Sequence, residues 1–222
     1  MKPERLEAAL GHVFGRQDLL RQALTHRSFG VPNNERLEFL GDSVLNCVVA
    51  AALHGRFPAL REGELSRLRA SLVRQETLAG IARQLDLGGF LRLGEGELKS
   101  GGAQRPSILA DAVEALIGAI YLDAGFDPAR VVVERLCEPA MAAIDPAAPG
   151  KDPKTALQEI LQGRHLPLPR YALLATRGEA HAQEFEMECV VQELGIRSTG
   201  VGGSRRIAEQ QAAQRAIAAI KQ

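Results

Sequence analysis

The chain has 222 residues, 45% of them hydrophobic and 24% charged, with 27 Lys/Arg against 27 Asp/Glu and a formal net charge of zero. That composition excludes a disordered or fibrous chain and describes a globular protein with room for one ordinary domain and a small second one. Three widely separated cysteines (Cys47, Cys137 and Cys189), with no Cys-x-x-Cys and no Cys/His cluster, exclude a disulfide framework and a zinc site.

The N-terminal stretch MKPERLEAALGHVF mixes both charge signs and has no signal-peptide core, and no run of about 18 apolar residues follows it. The expected compartment is the cytoplasm, with no membrane partner. The segment NERLEFLGDSVL (34–45) reads as a helix, because Leu37, Leu40, Val44 and Leu45 recur at helical spacing. It also places Glu35, Glu38 and Asp42 within about 60° of one another around the axis. In LSRLRASLVRQETLAGIARQL (65–85) the apolar positions are Leu65, Leu68 and Leu72, then Leu78, Ile81 and Leu85. SILADAVEALIGAIYLDAG (107–125) is apolar on most sides, as expected of a buried helix. No alternating strand interrupts this region, which predicts an all-α domain over residues 1–143.

Pro139, Pro146, Pro149, Gly150 and Pro153 punctuate the stretch 138–153, which reads as a linker, with 144–151 between the domains. From residue 152 the period changes. DPKTALQEILQ (152–162) is an amphipathic helix opened by Asp and Pro. YALLAT (171–176), EFEMECVV (184–191) and IRSTGVG (196–202) read as strands, and an Ala-rich helix runs from Ser204 to Ile220. The prediction for 152–222 is an α+β domain of order α-β-β-β-α. Charge divides mildly, with 10 basic and 8 acidic residues from Lys151 onward and 17 against 19 before it.

Two sets of carboxylates therefore sit in apolar helices: Glu35, Glu38 and Asp42 in one, Asp111 and Glu114 (i, i+3) in the other. A buried carboxylate must pair with a cation, share a proton or bind a metal ion. Pairing with Arg36 is the plain structural alternative. An all-oxygen donor set without His or Cys suits Mg²⁺ or Mn²⁺, ions that assist phosphoryl transfer.

HRSFGVPNNERLEFLGDSVL (26–45) and GELKSGGAQRPSILADAVEALIGAIYLD (96–123) resemble the two signature blocks of the ribonuclease III family. The C-terminal region, from KDPKTALQE to GGSRRIAEQQAA, is similar to a double-stranded-RNA-binding domain. The resemblance implies a Mg²⁺-dependent endoribonuclease, with Mn²⁺ able to substitute, that cuts double-stranded RNA to 5′-phosphate and 3′-hydroxyl ends with short 3′ overhangs. It implies processing of ribosomal RNA precursors and of some messenger and transfer RNA precursors. Carried over by motif, Glu38, Asp111 and Glu114 are the metal-binding acids, Asp42 and Glu114 the catalytic ones, and Glu35 and Glu62 further acids of the cleft. The family's homodimer would use Phe39 as a contact, with core packing as the alternative for that side chain.

In the second domain the same resemblance assigns RNA contacts to Thr155, Gln158 and Glu159 on the first helix and to His181 in the loop RGEAHAQ. Ser204, Arg205 and Arg206 at the start of the last helix would meet phosphates. Glu179 and Glu209 depart from the wider pattern, which favours Pro and a basic residue there. A non-catalytic RNA-binding protein and a phosphohydrolase of small nucleotides are the competing readings; four clustered acids argue against the first, and an RNA-binding domain left idle against the second.

Overall fold

The computed structural model describes residues 3–144, 152–178 and 183–220. They form two compact units, Met1–Gly150 and Lys151–Gln222. In the first, eight α-helices follow one another: α1 (Pro3–Leu10), α2 (Gln17–Ala23), α3 (Glu35–Arg56), α4 (Glu62–Val73), α5 (Gln75–Gln84), α6 (Glu95–Lys99), α7 (Pro106–Ala124) and α8 (Phe126–Ala142). Among the described residues of this unit the only β pairing is an isolated bridge between Thr25 and Arg92.

The centre of the unit is α7, whose Ile108, Leu109, Ala112, Val113, Leu116 and Ile120 are buried with most of their neighbours. Helix α3 lies against it through Leu37, Gly41, Val44, Leu45, Val48 and Leu53. The two backbones touch where they cross. A Cβ at Gly41 would overlap the Glu114 carbonyl, and one at Gly118 would overlap the Leu37 carbonyl. By length and hydropathy α3 could cross a membrane; here its apolar side is the wall of the helical core.

The structure divides one periodic stretch and moves one expected boundary. The periodic stretch 65–85 is two helices, broken at Arg74, which is extended (φ −66°, ψ 153°). The step from Leu72 to Leu78 shifts the apolar stripe by about 120° around a 3.6-residue helix, and the break lets each half turn its own stripe to the core. The Pro-rich stretch does not begin as a linker either. Helix α8 continues through Pro139 to Ala142, because Cys137 and Met141 are buried in the core.

The end of α7 is tied to the start of the chain. Asp123 accepts hydrogen bonds from His12 Nε2 (2.9 Å) and from the backbone N–H groups of Gly15 and Arg16.

The second unit consists of α9 (Pro153–Gly163), β1 (Arg170–Arg177), β2 (Glu184–Val191), β3 (Ile196–Gly202) and α10 (Arg205–Ile220). The strands form an antiparallel sheet in the order β1-β2-β3, with a register shift between Leu173 and Ala175. Met187, Cys189 and Val191 alternate inward from β2, and Leu157, Leu161, Ala212, Ala213 and Ala216 complete the small core from the helices. The Ala-rich face of α10 lets it lie close on β3, where a Cβ at Gly200 would overlap the Ala208 carbonyl.

Candidate active site and RNA-binding surface

The α3–α7 crossing brings the two acidic sets together. One carboxylate oxygen each from Glu38, Asp111 and Glu114 lie within 4.8 Å of one another, and all three residues are half-buried. Asp42, one turn beyond Glu38, is exposed; its Oδ1 accepts a hydrogen bond from Asn46 Nδ2 at 2.7 Å.

The electrostatics are those of an acid cluster short of positive charge. The Glu114 carboxyl is pushed up to about 8 by burial and then by Asp42, Glu38 and Asp111. Burial raises Glu38 as well, with Asp111 and Glu35 adding to the effect and Arg27 opposing it. Asp111 is raised by burial against the pull of His26 and Arg27. A carboxyl that holds its proton at neutral pH, as Glu114 does, releases it to a cation of higher charge. The ligands are all oxygen, with neither His nor Cys in the trio, which suits a hard divalent ion.

The other predicted acids are placed differently. Glu35 faces Arg27 (3.5 Å) and Asn33 (3.1 Å) outside the trio. Arg36 makes no ion pair among the described residues, so the plain alternative of an Arg36 partner does not describe the cluster. Glu62 opens α4, accepts from Ser66 Oγ at 2.8 Å, and lines a separate cavity with Leu53, His54 and Leu65. Phe39 is 79% exposed, which removes core packing as its role. It borders a largely apolar hollow with Leu19, Leu37, Leu40 and Leu122.

In the second unit, Thr155, Gln158 and Glu159 lie on one face of α9, with Thr155 and Glu159 exposed. Ser204 Oγ accepts from Ile207 N–H and so caps α10, whose first turn carries the exposed Arg205 and Arg206. An uncovered helix start with two arginines suits phosphate. His181 lies outside the described residues.

Sequence reasoning missed a set of pairs joining α9 to α10. Lys154 Nζ meets Glu209 at 2.6 Å and lies 4.7 Å over the Tyr171 ring. Asp152 caps α9, accepts from Gln210 Nε2 at 2.7 Å and sits 3.7 Å from Arg206. Glu209 is thus the anchor of a lysine, which nothing local in the sequence signals.

A helical unit with a carboxylate cluster that could hold a cation, joined to an α-β-β-β-α unit with a basic helix start, has the parts of a metal-dependent nuclease acting on duplex RNA. The description Ribonuclease-III-like matches residues 16–140, and Double-stranded RNA binding motif matches residues 153–220. Ribonuclease 3 of Aromatoleum aromaticum is 64% identical over 99% of this chain and 98% of its own length. Ribonuclease 3 of Thiobacillus denitrificans is 65% identical over 98% of this chain and 96% of its own. Among solved structures, the nuclease domain of ribonuclease III from Campylobacter jejuni, a structure described for flexibility in the region of dimer formation, has a TM-score of 0.61 and 49% identity. It covers 62% of this chain and 97% of that one. The chain belongs to the ribonuclease III family.

Proposed function

We propose that Glu38, Asp111 and Glu114 hold Mg²⁺, with Mn²⁺ able to substitute, and that Asp42 and Glu114 carry the chemistry of duplex-RNA hydrolysis. As a family member the protein is a metal-dependent endoribonuclease of double-stranded RNA. The observation that carries the site assignment is the convergence of three carboxylates from two helices onto one point, where burial raises all three.

A divalent cation held by Glu38, Asp111 and Glu114 would supply the positive charge that polarises the phosphodiester and acidifies water. The residues do the rest. Glu38, Asp111 and Glu114 would hold the ion and fix the position of the charge, and Glu114 would give up its proton to do so. Asn46 orients one oxygen of Asp42, leaving the other to accept a proton from the attacking water. Water adds to phosphorus, the bond to O3′ breaks, the departing O3′ takes a proton from solvent, and the products are a 5′-phosphate and a 3′-hydroxyl.

Recognition by the second unit is by shape, as A-form RNA requires. Thr155, Gln158, Glu159 and His181 address the minor groove, and Ser204, Arg205 and Arg206 the phosphates. The protein acts as a homodimer in which Phe39 of each subunit enters the apolar hollow of the other, so that two sites cut opposite strands and leave short 3′ overhangs. Glu35 and Glu62 complete the acidic cleft of that dimer. Residues 1–143 are the catalytic domain, 144–151 the linker and 152–222 the RNA-binding domain. The setting is the cytoplasm, with ribosomal RNA precursors and some messenger and transfer RNA precursors as substrates.

Purified protein incubated with long duplex RNA cuts it in Mg²⁺ and not in chelator. Glu114→Gln abolishes cutting and leaves duplex retardation intact. Retardation without cleavage by the unaltered chain in Mg²⁺ would establish a non-catalytic RNA-binding protein instead.

A further inference from the structure

Glu38 and Asp111 of the acidic trio line a cavity of about 330 Å³ whose wall also carries two arginine–carboxylate pairs, Arg27 with Glu35 and Arg105 with Glu97. Asn34, Ser107 and Ile108 complete the part of the wall at the start of α7. Arg105 immediately precedes α7, a helix of 19 residues with Pro106 in its first turn and no side chain capping it. The first-turn N–H groups of such a helix have no intrahelical partners, and its dipole places partial positive charge there.

Asn34 is the independent observation. It is only 2% exposed, yet its Nδ2 has no hydrogen-bond partner. It also stands directly before α3, where an asparagine ordinarily caps the helix, and its side chain does not do so. An unpaired buried amide is costly, and an acceptor that arrives with the substrate accounts for it.

We propose that this end of the cavity binds the phosphodiester next to the scissile one on the strand being cut, with Asn34, Arg105 and the Ser107 and Ile108 N–H groups as donors. The proposal rests on the duplex-RNA reading above and extends it. Ser107 and Asp111 are one helical turn apart, about 6 Å along the axis, on the order of one nucleotide step. Glu38 and Asp111 repel an anion, and Glu35 and Glu97 are offset by their arginines, so the donors of Asn34 and of the α7 start decide where the phosphate sits. At rest, Arg105 Nη1 lies 2.8 Å from Glu97 and Arg27 lies 3.5 Å from Glu35, contacts that keep both guanidiniums at the wall until a phosphate competes for them.

The test is a cleavage cycle with a duplex carrying one neutral methylphosphonate beside the scissile bond. The unaltered protein loses about tenfold or more in kcat/KM on that duplex. Asn34→Ala and Arg105→Gln lose a comparable factor on the native duplex and little further on the modified one, because the partner is already gone. The same non-additivity appears in duplex affinity in a Glu114→Gln background, where nothing is cut. Asn34→Ala melts no lower than the unaltered protein, and it carries the test alone if Arg105→Gln fails to fold. Losses that simply multiply in both variants, or indifference of the unaltered protein to the neutral linkage, would overturn the proposal. Failure of the unaltered protein to cut native duplex in Mg²⁺ would instead overturn the reading on which it rests.

Discussion

Replacing Glu114 by Gln should make the metal-free protein more stable at alkaline pH while it destroys activity. An ordinary glutamate in the unfolded chain releases its proton near 4.5, whereas the folded Glu114 keeps it until about 8. Between those values the folded state binds more protons than the unfolded one, so stability falls as pH rises through the window and levels off above it. The full difference corresponds to ~5 kcal/mol. Glu114 is only half-buried, and solvent screening reduces this to ~2 kcal/mol. For a chain of this size that is roughly 4–8 °C in Tm. The assay is thermal unfolding of the helical unit in chelator from about pH 5 to about pH 9. The unaltered protein should lose stability across that range, and Glu114→Gln should lose much less, keeping the residual slope due to Glu38 and Asp111. Mg²⁺ at high pH should restore the unaltered protein and not the variant. Parallel slopes, or a variant that is the less stable of the two at pH 9, would refute the reasoning.

Other perturbations test the frame around the site. Gly41→Ala forces α3 off α7, which should cost about 1–3 kcal/mol and stop cleavage by separating the acids; a melting curve and a cleavage assay together check it. Phe39→Asp should leave the fold intact, since the side chain is 79% exposed, and give a monomer by sedimentation. Burial alone would raise Asp123, but the His12 bond and the N–H groups of Arg16 and Gly15 bring it below its ordinary value. It therefore stabilises above the usual carboxylate range and loses that contribution as pH falls through its lowered value. Asp123→Asn should cost about 1–3 kcal/mol at neutral pH and flatten the acid limb of the stability curve, as chemical denaturation would show.

The acidic cluster was legible because helical periodicity and chemistry disagreed, while the roles assigned to its members came from the family resemblance. Carboxylates at Glu38, Asp111 and Glu114 had no business in runs of Leu, Ile and Val unless something charged met them. The same periodicity contains the answer for Phe39, which lies about 200° around α3 from Leu37 and so faces away from the core. The break at Arg74 was also present in the phase slip between Leu72 and Leu78. What the chain could not announce is tertiary. The ties from Asp123 to His12 and from Lys154 to Glu209 join residues 111 and 55 positions apart. Pro139 sits inside a helix because Cys137 and Met141 gain more from burial than the missing N–H costs. Glu62 carries a family position yet lines a different cavity within one chain, and no spacing rule distinguishes those cases.

The contact between Gly41 and Gly118 has an evolutionary consequence. Main chain meets main chain there, so the spacing between Glu38 and Asp111 is gauged by peptide groups, which mutation does not alter. The aliphatic side chains farther along both helices can drift in size and shape while the interval between the acids stays fixed. Two hydrogen atoms in place of two methyl groups thus insulate the reaction from the turnover of the core that supports it.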